Sequence, residues 1–303
     1  MSEHAKALNL EGNGTQKISW KDFLELTKPR VVALMMLTTV IGMLLAAPGV
    51  PHWSVLVFGN IGIALLAGAA AVINHVVDQK IDTVMARTRK RPVATGKISP
   101  FDALVFATSL ALAGMLILVW QVNALTAWLT LASLVGYAGV YTLYLKRATP
   151  QNIVIGGLAG AMPPLLGWTA VTGQVEGHGL LLVLIIFAWT PPHFWALAIH
   201  RKEEYAKAGI PMLPVTHGNR YTEIHIVLYT LMMLAVSLLP FVTGMSGPIY
   251  LVGALVLGLR FLQYAVRLLR GDDRMVALAT FKYSITYLMA LFVFLLVDHF
   301  IYF

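Results

Sequence analysis

The sequence predicts an all-α integral membrane protein of nine transmembrane helices bundled around a central cavity, with its polar site on the cytoplasmic side. Three observations carry that prediction. Of 303 residues, 58% are hydrophobic and 12% charged, roughly half the charged share of an ordinary soluble domain. Apolar windows of about 20 residues, the length that crosses the hydrocarbon core of a bilayer, recur along the chain. Lys and Arg collect in alternate connections only.

The spans lie near 30–48, 55–77, 101–120, 124–145, 152–172, 179–199, 224–243, 248–269 and 280–301. The connections GVPHWS (49–54), QVN (121–123), GQVEGH (173–178) and GMSG (244–247) hold no Lys or Arg. The other side holds five basic residues in the N-terminal segment, six in 78–100, two at 146–147, four in 200–223 and four in 267–282, which is 21 of the 22. Basic residues accumulate on the cytoplasmic side. The N-terminus is therefore expected on the cytoplasmic side and the C-terminus on the outer side. Residues 1–27 form a polar segment without the apolar run of a cleaved signal, and 28–303 form a single membrane domain. The net charge of +8 reflects this orientation rather than a nucleic-acid partner. Cysteine is absent, which excludes disulfides and thiolate metal sites. One cation is left over. Arg260 sits inside the eighth span, about 18 Å from its outer end, and either snorkels inward or faces an internal cavity.

Two polar loops, 78–100 and 200–223, follow the second and sixth spans. That spacing suggests two parallel four-helix repeats and a ninth helix, with pseudo-symmetry bringing the loops together. The first loop opens with NHVVDQKIDTVMARTRKRP (74–92). Steps of four turn a helix by about 40° and rise about 6 Å, so Asn74, Asp78 and Asp82 form a slanting ladder of oxygen ligands. Such a set suits Mg²⁺, which takes one or two carboxylates and completes its shell with water and phosphate oxygens. An acidic pair at a helix C-terminus also opposes the dipole, so something positive is expected beside it. Arg87 and Arg91 can fork onto phosphate oxygens. In the second loop, HRKEEYAKAGIPMLPVTHG (200–218), Glu203 and Glu204 are candidates to oppose the ladder, with Arg201, Lys202 and Lys207 adding charge. Taken alone, that loop reads equally well as a solvated juxtamembrane helix.

At these residues the chain resembles a family. Asn74, Asp78 and Asp82 after the second of nine spans resemble the first acidic motif of the intramembrane prenyltransferases, the ubiquinone-pathway superfamily. TKPR (27–30), DQKIDTVMARTRKRP (78–92), KRATPQNIVIGG (146–157) and WTPPHFWALAIHRKEEYAKAGIPMLPV (189–215) are similar to its protoheme IX farnesyltransferase branch, the heme O synthases. The resemblance implies transfer of the farnesyl group of farnesyl diphosphate to a vinyl group of protoheme IX (heme B), with addition of water, giving heme O. It implies one or two Mg²⁺ ions on Asn74, Asp78 and Asp82. Arg87 and Arg91 would hold the diphosphate, with Lys28, Arg30, Lys146, Arg147 and Lys202 on the same rim. Glu203 and Glu204 stand where the wider superfamily has a second Asp-x-x-x-Asp, so a single ion with Lys202 replacing the second stays open. His75, His193, His200 and Tyr205 are the candidate heme contacts, and Pro191–Pro192 is expected to break its helix and shape the cavity. A downstream heme-modifying enzyme or terminal oxidase assembly is the expected protein partner. Two rival readings remain: a relative acting on a quinone-precursor or chlorin ring, and a secondary transporter.

Overall fold

Ser19 opens the first helix with a capping box: its hydroxyl accepts from the Lys21 N–H, while the Asp22 carboxylate accepts from the Ser19 N–H at 2.7 Å. The structure is a computed structural model that describes residues 18–86, 88–271 and 274–302, and every regular element among them is helical. Helix α1 (Trp20–Leu26) carries exposed Trp20 and Leu24 and lies against α2 (Pro29–Leu45) at a bend of 54°. The bend falls at Lys28, the only non-glycine residue with positive φ among those described (φ 52°, ψ 58°). A left-handed conformation is unfavourable for an L-residue, and a following proline restricts it further. Something must hold Lys28 there.

After α3 (Trp53–Val77) and the short α4 (Gln79–Val84) come α5 (Pro100–Gln121) and α6 (Ala124–Val135). The chain continues from α6 through a π-helical segment, Gly136–Leu145, into the single turn α7 (Lys146–Ala148). Helices α8 (Asn152–Ala161) and α9 (Pro163–Thr172) share one span with a joint at Met162. Next are α10 (Gly177–His200), the small α11 (Lys202–Lys207) and α12 (Leu213–Thr216), then α13 (Gly218–Val242), α14 (Pro248–Gly271) and α15 (Arg274–Tyr302). Eight helical units among the described residues are long and apolar enough to cross a membrane, and the bent α1–α2 pair makes a ninth. The protein is a multi-pass membrane bundle, as the hydropathy pattern predicts.

Helix α10 is the most enclosed span, with Leu182, Ile185 and Trp195 fully buried against α8, α9, α13 and α15. It runs unbroken through Pro191 and Pro192, contrary to the expected break. Proline removes two backbone donors, but the neighbouring helices hold the segment in helical form. Helices α2 and α9 cross at backbone contact: a Cβ on Gly42 would collide with the Pro164 carbonyl, and one on Gly167 with that of Thr39. Small residues allow this approach where lipid supplies no hydrophobic drive between helices. At the basic end the two polar loops meet, as their spacing suggested. Met85 of the first packs with Tyr205, Ile210 and Met212 of the second.

Candidate active site

The expected ladder of Asn74, Asp78 and Asp82 spans a helix joint. Helix α3 ends at Val77, Asp78 caps it, and α4 carries Asp82, whose N–H donates to the Asp78 carbonyl at 2.8 Å. Asn74, Asp78 and Asp82 are all buried, at 4%, 2% and 3% exposure. Two carboxylates at that burial require compensation. Lys146 donates its Nζ to Asp78 Oδ2 at 2.5 Å, and Asn74 Nδ2 donates to the same oxygen at 2.8 Å. Arg91 Nη1 donates to Asp82 Oδ2 at 2.7 Å. Lys28 donates its Nζ to Asn74 Oδ1 at 2.5 Å, which supplies the tether its left-handed backbone needs. Two basic side chains thus pair with the two carboxylates, and a third, Lys28, rests on the Asn74 amide. Asp78 Oδ1 is buried without a hydrogen-bond partner.

The remaining candidates divide. Arg30 and His75 line a cavity of about 560 Å³ together with Lys28 and Arg91, in the angle between α1 and α2. His75 is 2% exposed, and neither ring nitrogen has a partner. Arg147 Nη2 donates to the Val77 carbonyl at 3.4 Å from an exposed position. Lys202, half-buried, begins α11. Arg87 lies outside the described residues.

The second loop departs from expectation. Glu203 is exposed and accepts from Arg274 Nη2 at 2.7 Å, at the start of α15. That guanidinium holds the Glu203 carboxyl below the usual carboxylate range. Glu204 is 3.6 Å from Arg201 on its own helical turn. No cluster of three or more His, Asp or Glu suited to a metal exists among the described residues, so these glutamates do not converge on the ladder. The cause is local: α11 points Glu203 along the protein surface, where a guanidinium already waits.

The histidines also separate. His193 is bonded to Ser284 Oγ at 2.6 Å and sandwiched by Trp189 and Phe281, all on α10 and α15. His200 Nδ1 sits 3.1 Å from the Arg274 carbonyl. Tyr205 is buried where the loops join. Of the four, only His75 lines the cavity beside the ladder.

Thr142, Asn152 and a pair of stacked tyrosines have no clear signal in the sequence. Thr142, on the π segment, accepts from Asn74 Nδ2 at 3.4 Å and donates to the Tyr137 carbonyl five residues back. The wide turn stacks Tyr137 on Tyr141 with centroids 5.6 Å apart. Such segments often occur at functional sites. Asn152, fully buried, donates to the Lys146 carbonyl at 3.2 Å and fixes the turn that presents that lysine.

Comparison with known proteins places the chain in a family. Residues 35–296 match the UbiA prenyltransferase family. A protoheme IX farnesyltransferase from Marinobacter nauticus is 90% identical over 285 residues, covering 94% of each chain. One from Hahella chejuensis is 68% identical over 95% of this chain and 96% of its own. One from Saccharophagus degradans is 64% identical over 99% and 98%. Among solved structures, a digeranylgeranylglyceryl phosphate synthase superposes with a TM-score of 0.79 at 18% identity, covering 93% of this chain and 98% of its own. A UbiA homolog from Archaeoglobus fulgidus bound to GPP and Mg²⁺ gives 0.63 at 16% identity, covering 90% and 99%. At such identities the likeness is one of fold.

Proposed function

The chain belongs to the UbiA prenyltransferase family, and from that premise we propose that it transfers the farnesyl group of farnesyl diphosphate to a vinyl group of protoheme IX, with addition of water, to give heme O and diphosphate. The relatives at 64–90% identity over nearly the full chain support the substrates. The observation that carries the chemistry is the buried carboxylate ladder ringed by Lys28, Lys146 and Arg91.

Mg²⁺ fits the residues present. Its ligands are hard oxygens, and the ladder offers a buried, unpartnered Asp78 Oδ1, together with the Asn74 amide oxygen and the Asp82 carboxylate that Lys28 and Arg91 engage in this structure. Asn74, Asp78 and Asp82 would hold it, and one ion matches the donors present better than two. Bound there, the dication would supply neutralising charge for the departing diphosphate. The chain's own cations do the rest. Lys28, Lys146 and Arg91 balance the carboxylates in the structure, and with substrate present they turn to the diphosphate oxygens, Arg91 in bidentate fashion. Arg30, on the wall of the same cavity, extends the grip.

Breaking the C–O bond sends its electron pair to the diphosphate and leaves an allylic cation. The apolar bundle keeps water from that cation until the vinyl group's terminal carbon attacks, and water then adds to the cation left beside the heme ring and loses a proton to give the hydroxyl group. The basic end then faces the cytoplasm of a bacterial inner membrane. The farnesyl tail enters from lipid, and the more hydrophobic heme passes to a downstream heme-modifying or oxidase-assembly protein. His75 is the side chain best placed to contact the heme.

The test is direct. Purified protein with farnesyl diphosphate, protoheme and Mg²⁺ should yield a heme of longer chromatographic retention, and Asp78→Ala should yield none. No product from wild-type protein would overturn the reading of substrates. Full turnover by Asp78→Ala would overturn the metal assignment.

A further inference from the structure

Arg260 is the one basic residue that neither the topology nor the site above absorbs. It stands on α14, eleven residues from the basic end at Gly271, about 16 Å at 1.5 Å per residue. That depth is close to the bilayer midplane, since half the hydrocarbon core is about 15 Å. The side chain is exposed on the bundle's outer surface, so it faces lipid rather than an internal cavity. It bends toward the basic end. Nη1 donates to Gln263 Oε1 at 2.9 Å, and the guanidinium carbon lies 5.2 Å from the Tyr264 ring centroid.

The same face continues outward. Arg260, Gln263, Arg267 and Arg270 follow steps of three, four and three and are all exposed. They form one polar stripe from near mid-membrane to the headgroup level. Arg220, 69% exposed at its side chain on neighbouring α13, donates to the Leu269 carbonyl and adds a fourth guanidinium beside the stripe's mouth. Snorkelling places a charge near the surface but does not require a continuous run of donors below it.

We propose that this stripe is a binding site for an anionic phospholipid of the leaflet at the basic end. Its phosphate is drawn below the headgroup plane between Arg267 and Arg260. Guanidinium groups match phosphate oxygens in forked geometry, and basic clusters at this level of a membrane protein attract anionic headgroups. The Gln263 amide, oriented by its bond to Arg260, supplies a neutral donor between the two. A second copy of this chain fits the stripe poorly, because it would bring the same guanidinium groups together.

The full-length protein is reconstituted in nanodiscs of phosphatidylcholine with one-fifth phosphatidylglycerol, released, and its retained lipids are counted by native mass spectrometry. Wild type should retain phosphatidylglycerol above its share of the disc. The Arg260→Leu/Gln263→Leu variant, which makes the lipid face more apolar and should not harm folding, should lose that enrichment by about ten-fold, one charge-assisted contact's worth. Arg260→Lys should keep part of it. Arg89→Gln, an exposed loop cation away from the stripe, should change nothing. The proposal fails if the double variant keeps the wild-type ratio, or if Arg89→Gln loses as much. It also fails if the variants keep their lipid but shed a co-purifying membrane protein, which would assign the stripe to a partner helix.

Discussion

Replacing Lys146 by methionine isolates what holds the ladder together. The Lys146–Asp78 pair is 2.5 Å long, with side chains 14% and 3% exposed. Without the ammonium, Asp78 Oδ2 keeps only the Asn74 amide, and Oδ1 already has no partner. Removing one member of a buried pair costs about 3–5 kcal/mol. The residual exposure of Lys146 and the Asn74 bond favour the lower end, so we expect a loss of about 3 kcal/mol. The Asp78→Asn/Lys146→Met double variant removes both charges and should recover to within about 1 kcal/mol of wild type, so its loss is about 2 kcal/mol smaller than that of Lys146→Met alone. Turnover behaves differently. Both variants should lose roughly 10²–10³ in rate, because a group that stabilises the leaving diphosphate is gone in each. Equilibrium unfolding in detergent and product formation from farnesyl diphosphate measure the two effects separately. Mg²⁺ should also raise the melting temperature of Lys146→Met more than that of wild type, since the dication then supplies the missing charge. Additive losses in the double variant, or wild-type turnover by Lys146→Met, would refute the charge balance described above.

Lys28→Gly and Lys28→Ala should both lose diphosphate affinity, yet the glycine variant should unfold about 1 kcal/mol later than the alanine one because it relieves the left-handed backbone; equal stabilities would contradict the strain. Glu203→Gln should leave turnover and the Mg²⁺ requirement unchanged, since Glu203 pairs with Arg274 at the surface. Its carboxyl is held below the ordinary range, so whatever stability the pair lends is present above the unfolded carboxylate pKa and lost as pH falls through the folded one. Acid unfolding curves of wild type and Glu203→Gln should therefore converge at low pH. Gly156→Ala places a methyl inside the Tyr141 ring, so it should displace the π-segment tyrosine, cost about 1–3 kcal/mol and slow turnover; an unchanged melting curve would count against that packing. His193→Asn should destabilise the α10–α15 contact without weakening heme binding measured by absorbance titration.

The sequence by itself determined the class of the protein, its membrane spans and the end where basic residues collect. Those rest on hydropathy and on the placement of 21 cations, which are properties of composition along a line. It also named Asn74, Asp78, Asp82 and Arg91, because close spacing in the chain keeps them near one another under almost any fold. Tertiary structure decided the partners. Lys28 and Lys146 stand 46 and 68 residues from the side chains they hold, and only the packing of α2 and the π segment against α3 brings their ammonium groups to the ladder. The packing of α10 against α15 sent His193 to Ser284, and the start of α15 brought Arg274 to Glu203, although both residues lie in motifs that suggested a site. A ligand's identity is local chemistry, but the direction its side chain takes is fixed by whichever buried or charged neighbour lowers the free energy most. Sequence spacing cannot name that neighbour.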